Sequence, residues 1–258
     1  MRIVSLCPSL TELVFDLGRG GELVGRTRFC VHPEGLVDAV ERVGGTKNPK
    51  VARIVELAPD LVLLNEEENR REDAEALAAA GVRCHVSFPR DAASTAEMVR
   101  DVGRALGAAD AAERIAADVE RRAARVQAAA AGRAPVRYAY LIWREPWMVA
   151  AGDTFVSALL ALPGGENVFA AHAERYPAVT AADLAAADPD LVLLSSEPFP
   201  FGAKHADELA ALTGLPRARF RLVDGELLSW HGSRTPAGID YAEAVISSVM
   251  NTLFGSGR

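Results

Sequence analysis

The sequence predicts an α/β protein of two parallel-sheet lobes joined by one long helix. Three observations predict it: apolar runs without alternation, which suit strands covered by helices on both faces; a Pro-Asp-apolar unit present once in each half; and a helical stretch free of Gly and Pro between the halves. With 258 residues, half of them hydrophobic, the chain can bury a core in each lobe.

The elements follow in order. Residues 2–6 read as a short β-branched strand, and Ser9 and Glu12 then stand as a Ser-x-x-Glu capping box ahead of Leu13, Val14 and Leu17. Gly18-Arg19-Gly20-Gly21 ends that helix, and residues 22–25 begin a second strand. Residues 50–58 read as helix, Pro59-Asp60 as a turn, and Leu61-Val62-Leu63-Leu64 as a strand apolar on both faces. Helix 70–80, stopped by Gly81, and strand 82–88 complete the first lobe.

The second lobe repeats the grammar. Strand 136–142 is followed by Asp153-Thr154 capping helix 155–162, which Pro163-Gly164-Gly165 terminates. Pro189-Asp190-Leu191-Val192-Leu193-Leu194 then answers Pro59-Asp60-Leu61-Val62-Leu63-Leu64. Helix-turn-strand units of any α/β protein can converge on such runs, and two similar lobes is the reading preferred here. Between them, residues 108–131 are dense in Ala, Arg and Glu, with Ile115, Val119 and Val126 on one face. Such a helix spans roughly 35 Å, enough for a rigid connection. The expected division is a lobe over 1–105, a linking helix over 106–133 and a second lobe over 134–258.

Charge and composition exclude several functions. A net charge of −7 and a pI near 5.3 leave no basic stripe for nucleic acid. No apolar run reaches the ~20 residues of a membrane span. Three cysteines form neither a disulfide framework nor a paired zinc motif, and no secretory hydrophobic region follows Met1, so a cytoplasmic location stays open. No nucleophile elbow, P-loop, GxGxxG, HExxH or triad spacing occurs, so an enzyme is not expected.

In open α/β sheets ligands sit beyond the carboxyl ends of the strands, which directs attention to the loops that follow them. Those loops hold all three tryptophans of a chain only 6% aromatic. Trp143, Trp147, Tyr176, Phe199, Phe201 and Trp230, with Phe29, are therefore the candidate pocket lining, since flat amphipathic rings cover a macrocycle at low entropic cost. Packing against a core is the competing reading for each ring. Arg26, Arg28, Arg144, Arg175 and Arg234 add cationic forks suited to carboxylates or phosphates. Glu66, in the run Glu66-Glu67-Glu68, belongs to a solvated loop, to a site for a cation or donor-rich ligand, or to a docking point for a basic partner surface. Cys30, His32 and His231 supply soft sulfur and nitrogen for a metal ion or the metal of a chelate, against the plainer reading of a buried thiol and imidazole.

The order of Ser5-Leu6-Cys7-Pro8-Ser9-Leu10-Thr11-Glu12-Leu13, Val43-Gly44-Gly45, residues 57–64, Gly164-Gly165-Glu166-Asn167-Val168-Phe169, and Tyr176-Pro177-Ala178-Val179-Thr180 with residues 189–194 resembles the helical-backbone metal receptor superfamily, in its cobalamin- and siderophore-binding branch. The resemblance implies a periplasmic or cell-surface substrate-binding protein for an ABC importer, monomeric, holding a metal chelate in a cleft between lobes. The implied ligand is cobalamin or another corrinoid, a ferric siderophore or a divalent metal ion, with no covalent cofactor. The family docks its permease through one acidic residue per lobe, a role that falls loosely on Glu72 and Glu208. His32, Thr46 and Asn65 stand where cobalamin-binding relatives place aromatics, a departure that favours a more polar ligand or direct metal contact. The alternative is a cytoplasmic tetrapyrrole-handling protein, either a sensor or a chelatase with His32 or His231 and Glu66 as general base.

Overall fold

The structure, a computed structural model, describes the backbone of residues 1–254 and the side chains of residues 1–248. It divides into two compact units. The first comprises Met1–Pro89, Ala93–Val119 and His231–Arg234; the second comprises Arg90–Ala92, Glu120–Trp230 and the chain from Thr235. The four residues His231–Arg234, expected from the sequence in the second lobe, therefore pack with the first unit.

The first unit contains β1 (Ile3–Ser5), α1 (Pro8–Asp16), β2 (Leu23–Arg26), β3 (Glu41–Arg42), α2 (Val51–Glu56), β4 (Leu61–Asn65), α3 (Arg71–Ala79), β5 (Cys84–Ser87) and most of α4 (Ala92–Ala105). Its five strands are all parallel, in the order β3-β2-β1-β4-β5. Strand β4 lies inside this sheet and every residue of it is buried, which is why its apolar run does not alternate. Val4, Leu6, Val62 and Leu64 meet Ile54 of α2 and Leu77 of α3 in one core cluster.

Helix α5 (Ala109–Ala130) begins in the first unit and ends in the second, the division falling after Val119. Ala112, Ala116, Val119 and Val126 are buried at helical spacing, while Ile115 is only half-buried.

In the second unit come β6 (Val136–Trp143), β7 (Met148–Val149), α6 (Phe155–Ala161), β8 (Gly165–Asn167), α7 (Ala181–Ala187), β9 (Leu191–Ser195), α8 (Ala203–Thr213), β10 (Phe220–Val223), α9 (Gly225–Ser229) and α10 (Thr235–Phe254). Its sheet runs β10-β9-β6-β7, with β8 parallel to the start of β6 and β7 antiparallel to its end. Thr154 caps α6 by accepting from Ser157 N, as its sequence position predicts.

The repeated Pro-Asp unit has a repeated structural job. Asp60 accepts from the backbone N–H of Arg2 at 2.6 Å, and Asp190 accepts from that of Arg137 at 2.9 Å. The Arg2 guanidinium donates to Leu57 O at the end of α2, while that of Arg137 donates to Ala187 O and Asp188 O at the end of α7. In each unit an arginine at the start of a strand thus satisfies the orphan carbonyls of the preceding helix.

One local expectation fails. Helix α1 starts at Pro8 with Cys7 as its N-cap and no side-chain cap, so Ser9 and Glu12 lie inside the helix and form no capping box. Proline at the first helical position needs no N–H partner and has its φ preset, which lets the helix begin there. The side chains of Ser9 and Glu12 are thereby released for the 231–234 segment: Ser9 meets His231, and Glu12 pairs with Arg234 at 2.5 Å.

Candidate functional site

Each unit has its own cluster of side chains at the carboxyl ends of its strands. In the second unit, Trp143 ends β6 and stands 41% exposed, edge-on to Phe199 at 5.8 Å between centroids. Phe199 is edge-on to Phe201 at 4.8 Å, and Phe201 stacks on Trp147 at 6.2 Å. Phe201 belongs to the core cluster of this unit, and Trp147 and Phe199 pack against that cluster. The aromatic gathering is therefore the rim of a core with an open outer edge, so that Trp147, Phe199 and Phe201 take the core-packing reading and Trp143 remains at the exposed edge. Half-buried Tyr176 lies on the segment that runs antiparallel to residues 147–151, through backbone bonds from Val149 to Pro177 O, from Ala151 to Arg175 O and from Val179 to Trp147 O. Trp230 is 8% exposed, and its indole N–H donates to Glu197 at 2.7 Å.

Arg144 lies over the Trp147 ring at 5.4 Å and binds Glu208 through two bonds of 2.8 and 3.2 Å, with a third bond to Glu145. The paired guanidinium holds the Glu208 carboxyl below the usual carboxylate range. Glu208 is thus paired with Arg144 through both of its carboxylate oxygens. Glu72, in the first turn of α3, is exposed.

In the first unit, Asn69 joins three strand-end loops by donating to Leu6 O and Thr46 O, both at 3.0 Å, while its Oδ1 accepts from Asn65 N at 2.9 Å. Asn65 accepts from the backbone of Glu67 and Glu68 and donates to Ser87 O and the His231 ring. His231 also contacts the Ser9 hydroxyl, which in turn meets the Cys7 thiol at 3.3 Å. Burial holds the His231 imidazole neutral, lowering its pKa to about 4. Glu66 is exposed, whereas burial raises the pKa of Glu68.

The loop after β2 is wrapped around Arg26, which is fully buried and donates to Val37 O at 2.7 Å and Cys30 O at 2.8 Å. Arg26 is consequently a support for this loop and not a fork for a ligand. The loop displays Phe29, 47% exposed, with the Arg28 guanidinium 4.8 Å above its ring.

The direct metal site read from Cys30, His32 and His231 is not assembled. Among the described residues no three His, Cys, Asp or Glu side chains come together in a way that could hold a metal ion. The Cys30 thiol is buried between Thr11 and Thr27, at 2.9 and 3.1 Å, and burial raises its pKa; both nitrogens of His231 are already engaged. Of the other arginines of the candidate set, Arg175 pairs with Asp153 and Arg234 with Glu12, while Arg28 lies over the Phe29 ring.

Sequence reasoning gave Asn69 no role of its own and did not find His205. Asn69 follows the conspicuous acidic run and carries no signal apart from being an amide at a strand-end loop. His205 is buried against Phe199 and Phe201, its Nδ1 accepting from Gly202 N at 2.9 Å. Burial, followed by the nearby Lys204 and Arg144, lowers its pKa.

Each of the two α/β units gathers side chains where its strands end, the place where open α/β sheets bind their ligands. The chain belongs to the periplasmic binding protein family, whose pattern matches residues 3–214. The vitamin B12-binding protein of Photorhabdus laumondii is 26% identical over 195 residues, covering 76% of this chain and 70% of that protein. Among solved structures, the periplasmic vitamin B12-binding protein BtuF of Vibrio cholerae superposes with a TM-score of 0.83 at 21% identity, covering 96% of this chain and 97% of that one. The periplasmic heme-binding protein RhuT of Roseiflexus sp. RS-1 gives 0.82 at 27% identity, covering 96% and 98%. Among the described residues no helix is long and apolar enough to cross a membrane.

Proposed function

We propose that this protein holds a metal chelate of the corrinoid class, rich in neutral amides, and hands it unchanged to an ABC importer at the outer face of the cytoplasmic membrane. The observation that carries the choice of ligand is the commitment of the arginines. Arg144, Arg175 and Arg234 each pair with a carboxylate of the protein, and Arg26 is spent on backbone carbonyls. A chelate with several carboxylates would have to displace these partners or rely on Arg28 alone, which lies over the Phe29 ring. A neutral chelate can instead lay its apolar edge on the rings of Trp143 and Phe199 without needing a counter-charge. The B12-binding relative is in keeping with this reading, and the heme-binding neighbour at 27% identity makes haem the competing ligand.

Titrating the intrinsic tryptophan fluorescence with cyanocobalamin and with haem tests the choice. Saturable 1:1 quenching by cyanocobalamin at concentrations at least tenfold below those needed for haem is expected. Tighter binding of haem would overturn it.

A further inference from the structure

Elementary donor and acceptor rules fix the state of His231. Backbone N–H groups only donate, so the atom of Asn65 that faces Glu67 N at 2.9 Å and Glu68 N at 3.2 Å is its oxygen. Backbone carbonyls only accept, so the atom facing Ser87 O at 3.1 Å is its nitrogen. That nitrogen also lies 3.1 Å from His231 Nε2, which must therefore accept, leaving the proton on Nδ1 beside the Ser9 hydroxyl at 3.4 Å.

This buried amide has its hydrogen-bonding capacity filled in only one orientation. Turning it over would place its oxygen against Ser87 O and its N–H groups against those of Glu67 and Glu68, at the cost of every bond it makes. His231 rewards the observed orientation because its Nε2 accepts. The ring itself is held in place, since the 231–234 segment is pinned to α1 by Ser9 and by the Arg234–Glu12 pair. Asn69 closes the base of the same loop independently, so loss of His231 acts on the tip.

We infer that His231 is a positioning residue that acts through Asn65 to set the backbone of the Glu66–Glu68 tip, the part of the first unit that meets the chelate. The last clause rests on the ligand-binding reading above; the positioning itself does not.

Amide exchange at Glu67 and Glu68, read by NMR in the protein without ligand, tests the positioning. His231→Leu should speed exchange at these two amides at least tenfold while leaving those of β4 unchanged, and should weaken cyanocobalamin binding at least fivefold. In His231→Gln the side-chain oxygen can accept from Asn65, and both properties should return toward wild type. Unchanged exchange in the leucine variant would overturn the positioning role. Faster exchange with unchanged affinity would overturn the contact with the chelate and leave the positioning intact. The imidazole nitrogen shifts of the unmodified protein give a readout that depends on no variant: Nδ1–H with a bare Nε2 is expected, and an Nε2–H tautomer would overturn the inference.

Discussion

The imidazole Nε2 of His231 lies 3.1 Å from the side-chain nitrogen of Asn65, a residue 166 positions earlier in the chain. The burial of the ring at this contact makes the first unit sensitive to acid. The folded protein holds His231 at a pKa of about 4 because the ring is buried, against 6.5 for the free group. Below pH 6.5 the unfolded chain binds a proton that the folded chain refuses, so stability is full above 6.5 and falls as the pH drops toward 4. The loss is about 3 kcal/mol when the window is complete. Urea unfolding of wild type and His231→Gln between pH 7 and pH 4 checks this: the gap should shift in favour of glutamine as the pH falls. Parallel pH profiles would exclude His231 as the source.

Trp143 and Trp147 should separate binding from folding. Trp143 is partly exposed and touches Phe199 by its edge, so Trp143→Ala should cost less than ~1.5 kcal/mol of stability. It should nevertheless weaken chelate binding by ~1 kcal/mol or more, as removal of an aromatic anchor does. Trp147 packs against the core, and Trp147→Ala should destabilise by ~2–3 kcal/mol. Denaturation and ligand titration of the two variants give the comparison; an unaltered affinity in Trp143→Ala would remove that ring from the site.

Glu208 is expected to act as a selectivity filter. Its carboxylate occupies the fork of Arg144 that a ligand carboxylate would take. Glu208→Gln should therefore raise the affinity for haem relative to cyanocobalamin, read as a change in the ratio of the two dissociation constants. A ratio that stays constant would show that Arg144 does not face the ligand.

The thiols should differ in reactivity. Burial pushes the Cys7 thiol up to about 12 and also raises Cys30, while Cys84 is half-buried and raised by burial to some degree. At pH 8 Ellman's reagent should find Cys84 alone in the native protein, and all three cysteines in guanidinium chloride. Rapid native labelling of Cys7 or Cys30 would contradict the burial described.

The fold could be read from the sequence wherever burial on both faces left an unbroken apolar run, as in Leu61–Asn65 and Leu191–Ser195, and wherever Gly and Pro were absent, as in α5. The candidate loops were legible for the same reason, because strand ends locate them. What the side chains do there was less legible. Ser9 and Glu12 have the spacing of a capping box, yet Pro8 starts the helix and turns both residues to the 231–234 segment. Arginine and histidine suggested ligand contacts, but whether such a group faces a ligand depends on partners remote in sequence. Arg234 finds Glu12 and His231 finds Asn65, and no local pattern announces either pair.

A carrier of a corrinoid-type chelate must select that ligand from a mixture. Native mass spectrometry of the protein incubated with an equimolar mixture of cyanocobalamin, haem and a ferric siderophore tests it most directly. One intact cyanocobalamin per chain is expected as the dominant complex, and a spectrum dominated by another ligand, or by protein alone, would overturn the corrinoid reading.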